Sequence, residues 1–251
     1  MRIAQQGLEV NAPIWVSVGE IERILHEKAG WIVRKLEQQA KQRALGAQNA
    51  PLWQDGQYLP WRGRLLQIRL LGETGGAGAA RMTPARIRRI VAAARLESGG
   101  QQGLPGAVEG ASSQLPPVST PAADVLWLEL PQQTPAADLR AVVTHWMQQQ
   151  ALAVFTARLD HFAVLLDVRW RELKLSQAEG RWGSATSSGV IRLHWRLMQM
   201  PPDVLDYVVV HELAHLHEMN HGPRFWAWVE KILPDYRQRQ FVLKRTALAP
   251  W

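Results

Sequence analysis

The segment HELAHLHEMNH, residues 211–221, constrains this chain more than any other, because it holds four of the eight histidines. On an α-helix, residues four apart lie on one face, so His211 and His215 can reach one metal ion from the same side. Glu212 projects about 100° around the helix from His211, so it can approach a water on that ion without binding the ion itself. The spacing therefore predicts a helix that carries a metal site and its own base.

The surrounding residues favour a metal site over the alternative, a histidine-rich helix surface. The opposite face of the same helix is apolar, at Leu205, Val209, Leu213 and Leu216. The sequence PPDVL at 201–205 is typical of a helix start, since proline is tolerated in the first turn and Asp203 suits the positive helix end. We therefore expect an amphipathic helix that begins near residue 201 and packs on a core.

A third ligand must come from outside this helical face. His221 lies six residues after His215, so the helix has to end between them for its ring to return to the ion. Asn220 and the pair at 222–223, Gly-Pro, favour such an end, because asparagine tolerates the left-handed conformation. Three protein ligands would leave the fourth position open to water, as in catalytic zinc sites.

Other residues compete for roles in this site. Glu218 and Glu230 are carboxylate alternatives for the third ligand, and we rank His221 first and Glu230 second. His217 lies about 200° from His215 on a straight helix, so we expect it to support the ligands or to line the cleft rather than to bind the ion. We interpret His194 as a hydrogen-bonded structural residue. Three residues are candidates for stabilising an oxyanion: Tyr207, Tyr236 and Arg224. Their spacing in the sequence does not favour one of them.

The chain has no cysteine, which excludes disulfides, thiolate metal ligands and a cysteine nucleophile. An all-histidine ligand set favours zinc, at one ion per chain, although nickel, copper and cobalt also suit imidazole. Zinc lowers the pKa of its water towards ~7, so a neighbouring carboxylate can take the proton and pass it to a leaving amine. These features predict metal-dependent hydrolysis.

The positive charge is spread over the chain rather than concentrated. The sequence has 29 Lys and Arg against 22 Asp and Glu, a net charge of +7, and a pI near 10.2. Scattered arginines favour a solvated basic surface, with nucleic-acid contact as the weaker alternative. The sequence lacks a signal-peptide pattern and a run of the roughly 18 apolar residues that a membrane span needs. We therefore expect a soluble, cytoplasmic protein without membrane contact, and the sequence does not indicate an oligomeric state.

The first half of the chain predicts an α/β region followed by an insertion. A helix begins at Ser17, whose spacing to Glu20 is that of a capping box, and residues 52–71 have the alternation of a hairpin. Residues 72–123 are rich in Gly, Pro and Ser, which predicts a flexible insertion in which 84–96 can form a short basic helix.

The second half predicts a catalytic core. It contains a strand at 125–130, a long amphipathic helix after Pro135, two strands joined through SSG at 187–189, and an amphipathic segment at 223–243. If the strand at 190–195 forms a sheet edge, an extended peptide can add to it by main-chain hydrogen bonds. We therefore expect three regions, at 1–71, 72–123 and 124–251.

The stretch from 180 to 230 resembles the YgjP-like metallopeptidase family, whose relatives are the SprT-like and WLM zinc peptidases. The resemblance lies in RWGS at 181–184, DYVVVHELAH at 206–215 and NHGPRFW at 220–226. It extends more weakly over the N-terminal part, whereas the insertion around 72–123 looks unlike the family core. Two positions depart from the pattern: Ala185 stands where the family commonly has cysteine, and His194 where it commonly has asparagine.

The resemblance implies an α+β, zincin-like core in which a small antiparallel sheet packs on the helix that bears HExxH. It also implies His211, His215 and His221 as zinc ligands and Glu212 as general base. The expected function is that of a zinc-dependent metallopeptidase acting on protein or peptide substrates. The alternative is a nucleic-acid-associated zinc protein, or a protease that acts on DNA-bound proteins.

Overall fold

The computed structural model describes residues 2–4, 7–13, 15–48, 51–72, 82–99, 123–178, 180–246 and 251. The chain divides into two compact units, Met1–Pro51 with Ala247–Trp251, and Leu52–Thr246. The sequence-based boundary at 71 lies inside the second unit. The reason is that the predicted hairpin pairs with a strand more than 50 residues further along the chain, a contact that leaves no local signal.

The first unit contains a small hairpin and two helices. Strands β1 (Arg2–Ala4) and β2 (Gly7–Glu9) pair antiparallel, and they are followed by α1 (Val18–Glu27) and α2 (Ala29–Gln48). The capping box predicted from the sequence is confirmed. The Glu20 N–H donates to Ser17 Oγ, and the Ser17 N–H donates to Glu20 Oε2, each over 3.3 Å. These two bonds satisfy backbone donors that the start of a helix leaves free.

The second unit opens with a four-stranded sheet and a helix that lies between two of its strands in the chain. Its elements are β3 (Tyr58–Trp61), β4 (Arg64–Leu70), α3 (Pro84–Ala93), β5 (Arg95–Glu97) and β6 (Asp124–Leu128). The strand order is β3-β4-β6-β5, with β4 and β6 parallel and the other pairs antiparallel. The hairpin is confirmed, and its turn uses left-handed residues at Arg62 and Gly63.

The predicted insertion is partly built into this sheet. Within 72–123, α3 packs on the helix α4 that follows β6, and β5 pairs with β6. The remainder of that region, at 73–81 and 100–122, lies outside the described residues. The predicted basic helix at 84–96 is thus a part of the fold and not a detached arm.

Helix α4 (Ala136–Leu166) is the central support of the second unit. Its buried side chains recur at threes and fours from Leu139 to Leu166, which is the pattern of a core-facing helix. It packs against α3 on one side and against the helix that carries the histidine motif on another. It ends at Asp167, which adopts the left-handed conformation at φ 54°.

The second sheet lies next to the histidine motif. It consists of β7 (Glu172–Ser176), β8 (Gly183–Ala185) and β9 (Val190–His194) in the order β7-β9-β8. The predicted β8–β9 hairpin is confirmed, but β7 and β9 are parallel, so the sheet is mixed and not antiparallel as expected. Strand β9 is therefore the central strand, so the condition for adding a peptide to it, that it forms a sheet edge, is not met. Turn signals reveal where a strand ends but not which neighbour it pairs with.

The remaining elements are helical. A 3₁₀ turn at Trp195–Gln199 leads into α5 (Pro202–Ala214), α6 (Pro223–Ile232) and α7 (Tyr236–Arg245). The single amphipathic segment expected at 223–243 is thus two helices. They separate at Pro234, which has no N–H to continue a helix. The α+β fold class is confirmed. Within the described residues, no helix combines the length and the apolar character required to cross a bilayer.

Candidate metal centre

Helix α5 holds the first part of the motif in a fixed place. It is buried on nearly every side, because it packs on α4, α6, α7 and the second sheet. Arg158 on α4 donates two hydrogen bonds to the Asp206 carboxylate, over 2.6 and 2.8 Å. A bidentate pair of this kind fixes orientation as well as distance. The last turn of α5, with His211 and Glu212, therefore has little freedom to move.

The chain then turns back so that His221 returns to the end of α5. The amides of Leu216 and His217 donate to the carbonyls of Leu213 and Ala214, which closes the helix. The indole N–H of Trp226 donates to the His221 carbonyl over 3.1 Å and holds the returning segment. The predicted helix end is present, but no residue from 215 to 222 has a positive φ, so it does not need a left-handed Asn220.

The three imidazoles converge on one point. Their ligand nitrogens all lie within 4.8 Å of one another, and His211 Nε2 is 3.0 Å from His221 Nε2. In tetrahedral geometry, two nitrogen ligands at about 2.0–2.1 Å from a zinc ion lie about 3.3 Å from each other. The nitrogens of His211 and His221 therefore need to separate by only a few tenths of an ångström to hold the ion. No other group of His, Asp and Glu among the described residues meets the requirements of a metal site.

The protonation of the cluster also fits a metal. Burial, and after it the neighbouring His215 and His221, lower the pKa of His211 to about 3. Burial likewise lowers the pKa of His215. The His215 Nδ1 lies 3.2 Å from the backbone carbonyl of Glu218, which can only accept, so Nδ1 carries the proton and Nε2 is free to ligate. Neutral imidazoles with available lone pairs are the form that binds zinc.

Phe225 forms the floor of the cluster. Its ring centroid lies 4.8, 4.6 and 4.7 Å from those of His211, His215 and His221, and the residue is fully buried. One apolar ring thus contacts all three imidazoles and limits their rotation. This role was not predicted from the sequence, although a phenylalanine in the first turn of a helix that starts at Pro223 was a usable signal.

Glu212 occupies a buried position that depends on a glycine. It is 5% exposed, and burial raises the pKa of its carboxyl to about 8, against the opposing effect of Arg181. A Cβ at Gly183 on β8 would lie 2.8 Å from both Cγ and Cδ of Glu212, closer than side chains tolerate. The absence of a side chain at Gly183 therefore makes room for the Glu212 carboxylate, a requirement that no local pattern in the sequence indicates.

A cavity of about 200 Å³ adjoins His211 and Glu212. Its remaining lining residues are Trp182, Gly183, Tyr207, Val208 and Leu243. The Gln240 side-chain N–H donates to the Tyr207 hydroxyl oxygen over 2.9 Å, and burial is the main cause that raises the pKa of this tyrosine. Of the three oxyanion candidates, Tyr207 lines this cavity, whereas Tyr236 stacks on Trp226 and Arg224 is exposed.

The other candidate residues lie outside the cluster. His217 stacks on Trp228 at 3.9 Å and its Nε2 contacts the Leu166 carbonyl over 2.7 Å, so it ties the turn to α4. It lines a separate cavity of about 330 Å³ and not the one that Glu212 lines. Glu230 is exposed on α6, and Glu218 contributes its backbone carbonyl. The interpretation of His194 as structural is confirmed, because its Nδ1 accepts the Arg196 N–H over 3.1 Å.

Comparison with known proteins identifies the family. Two solved structures are similar in part: the metallopeptidase zymogen abylysin of Pyrococcus abyssi (21% identity, TM-score 0.33, 36% of this chain and 94% of that chain) and the metallopeptidase zymogen jannalysin of Methanocaldococcus jannaschii (17%, 0.32, 36% and 91%). No curated protein matches the chain. The sequence model of the YgjP-like metallopeptidase domain matches residues 1–111 and 107–246. The chain therefore belongs to the YgjP-like metallopeptidase family.

Proposed function

We propose that this metallopeptidase is a zinc enzyme in which His211, His215 and His221 hold the ion and Glu212 is the general base. The observation that carries the proposal is the convergence of three imidazole nitrogens within 4.8 Å, beside a buried carboxylate. Three histidines on one ion leave a coordination position open, which is the arrangement of catalytic zinc sites and not of structural ones.

The chemistry divides between the metal and the chain. A bound zinc ion supplies Lewis acidity, which polarises a peptide carbonyl and lowers the pKa of water towards 7. Glu212 lines the same cavity as His211, and the charge of a bound ion would favour its ionised form against the burial that raises its pKa. The ionised carboxylate can then take the proton of the attacking water and deliver it to the leaving amine. Phe225 and the Glu218 carbonyl keep the imidazoles oriented during this transfer.

We assign the stabilisation of the oxyanion to Tyr207. The raised pKa of this residue keeps its hydroxyl protonated at neutral pH. Gln240 donates to the hydroxyl oxygen, which leaves the tyrosine's own proton free to be donated to a developing negative charge.

We assign the binding of the substrate backbone to β8. This strand pairs with β9 on one side, and among the described strands none pairs with its other side. Gly183 on β8 adjoins Glu212, so an extended peptide added to this edge would pass the reacting groups. The substrates are accordingly expected to be unfolded or extended protein segments and peptides.

The test is zinc content and peptide hydrolysis of the purified protein and three variants. We expect about one zinc per chain in the wild type, loss of zinc in His221→Ala, and retained zinc with hydrolysis reduced by about 10²–10⁴-fold in Glu212→Gln. Glu230→Gln, an exposed carboxylate on α6, is the matched control and should keep both zinc and activity. Zinc retained in His221→Ala, or full hydrolysis by Glu212→Gln, would contradict the assigned roles.

Action on DNA-bound proteins remains a second candidate. Helix α3 carries three arginines and no acidic residue, and Arg88 and Arg89 on it are exposed. DNA binding through such residues should weaken steeply between low and moderate salt. Absence of binding at low salt, or binding equal to wild type in Arg88→Ala/Arg89→Ala, would exclude this surface.

A further inference from the structure

The cavity beside Glu212 has the size of a pocket for one side chain. Its volume is about 200 Å³, whereas pockets that enclose a whole small-molecule ligand measure about 300–1,000 Å³. The cavity is continuous with the proposed reacting groups, because His211 and Glu212 form part of its lining. A group seated in it therefore lies next to the scissile bond of a bound peptide.

The walls of the cavity are suited to an aliphatic group. They consist of the rings of Trp182 and Tyr207 and the aliphatic side chains of Val208 and Leu243. The Tyr207 hydroxyl accepts a hydrogen bond from Gln240, and no lysine or arginine is among the lining residues. An acidic side chain would leave water here beside Glu212 and without a lysine or arginine to pair with, which is costly.

Helix α7 sets one wall of this cavity. Leu243 comes from α7, whereas the other lining residues belong to α5 or to the segment at 182–183. Two hydrogen bonds tie α7 to α5: Gln240 to the Tyr207 hydroxyl over 2.9 Å, and Arg239 Nη1 to the Asp203 carbonyl over 3.2 Å. The position of Leu243 is therefore determined by the same helix that carries the metal motif.

We propose that this cavity is the specificity pocket of the enzyme, that it takes an aliphatic side chain adjoining the scissile bond, and that Leu243 sets the size it accepts. The proposal rests on the proposed function for its site and deepens it by naming the substrate class. It predicts that wild type prefers leucine or valine at one position next to the cleaved bond over alanine and aspartate.

The test substitutes Leu243, the residue that α7 contributes to the cavity wall, and measures which residues the enzyme prefers next to the cleaved bond. Zinc-loaded wild type, Leu243→Ala and Leu243→Phe are compared on a peptide library, with the cleaved bonds identified by mass spectrometry. The enlarged pocket of Leu243→Ala should shift the ratio of phenylalanine to leucine cleavage upwards by about tenfold or more, and Leu243→Phe should shift preference towards alanine. Phe241→Ala, also on α7 but 58% exposed, should leave the ratios unchanged. Equal ratios in wild type and both Leu243 variants would overturn the proposal.

A binding measurement separates this proposal from the proposed function. Peptides with one variable residue between glycines are added to zinc-loaded Glu212→Gln, with and without Leu243→Ala, while the Trp182 indole N–H is followed by NMR. One outcome is that wild type hydrolyses no peptide, but the affinity depends on the variable residue and shifts with Leu243→Ala. That outcome would support the specificity pocket and contradict the proposed peptidase mechanism. If affinity does not depend on the variable residue in either protein, the pocket is overturned whatever the activity.

Discussion

Helices α1 and α5 begin in opposite ways. Helix α1 starts at the reciprocal hydrogen bonds between Ser17 and Glu20, and none of its residues is buried. Helix α5 starts at Pro201 without a side-chain cap, and nine of its 13 residues are buried. The first helix is therefore specified by its own sequence, and the second by the elements packed around it. The candidate catalytic residues lie on α5, so substitutions in the elements packed around this helix should alter the site.

The largest effect is expected at the floor of the histidine cluster. Phe225→Ala removes a fully buried ring and should lower the free energy of unfolding by about 3–5 kcal/mol, with weaker zinc binding because all three imidazoles lose a contact. Chemical denaturation and zinc titration measure both. Phe241→Ala, which removes a 58% exposed ring, is the matched control. Unchanged stability and zinc affinity in Phe225→Ala would refute the dependence of this site on packing.

A smaller but more specific effect is expected at Gly183. A methyl group there must displace the Glu212 carboxylate, and a displacement of about 1 Å costs on the order of 10²-fold in rate. Zinc content should remain at the wild-type value, because Gly183 contacts the base and not the ligand cluster. Gly19→Ala on α1, where no atom lies within 4 Å of the added carbon, should leave kcat unchanged. Full activity of Gly183→Ala would contradict the conclusion that the position of the Glu212 carboxylate depends on a glycine at 183.

The ion pair between α4 and α5 should have an intermediate effect on stability. Asp206→Asn leaves Arg158 without its bidentate partner, and we expect a loss of about 1–3 kcal/mol in the free energy of unfolding. The Asp235 carboxylate, which pairs with Arg239, is 51% exposed. Asp235→Asn should therefore lower the free energy of unfolding by less than about 1 kcal/mol. Equal losses in urea denaturation of the two variants would mean that α5 does not depend on this anchor.

The smallest effect is expected at the cap of α1. Ser17→Ala removes the side-chain acceptor of the Glu20 N–H and should destabilise the helix by about 1 kcal/mol. Zinc content and peptide hydrolysis should equal those of wild type, since the cap is satisfied locally. A loss of zinc in Ser17→Ala would contradict the conclusion that α1 is specified locally and does not affect the metal site.

Local patterns in the sequence predicted the elements that depend on neighbours in the chain. The capping box at Ser17, the hairpin that turns at Arg62–Gly63 and the long helix from 136 to 166 were all readable, because each is encoded by residues within a few positions of one another. The HExxH spacing likewise places His211 and His215 on one helical face. The return of His221 was expected from the residues that end the helix, and its ring now lies beside that of His211.

Which partners these elements pack against could not be predicted from local patterns. The parallel pairing of β7 with β9, the position of β8 at the edge of its sheet and the place of the predicted hairpin in the second unit all depend on contacts between distant segments. The same holds for Gly183 under Glu212 and for Leu243 in the cavity wall. Chemistry at this site was legible in the sequence because metal ligands need particular residue types at particular spacings. The shape around it was not, because packing accepts many side chains and leaves no periodic trace.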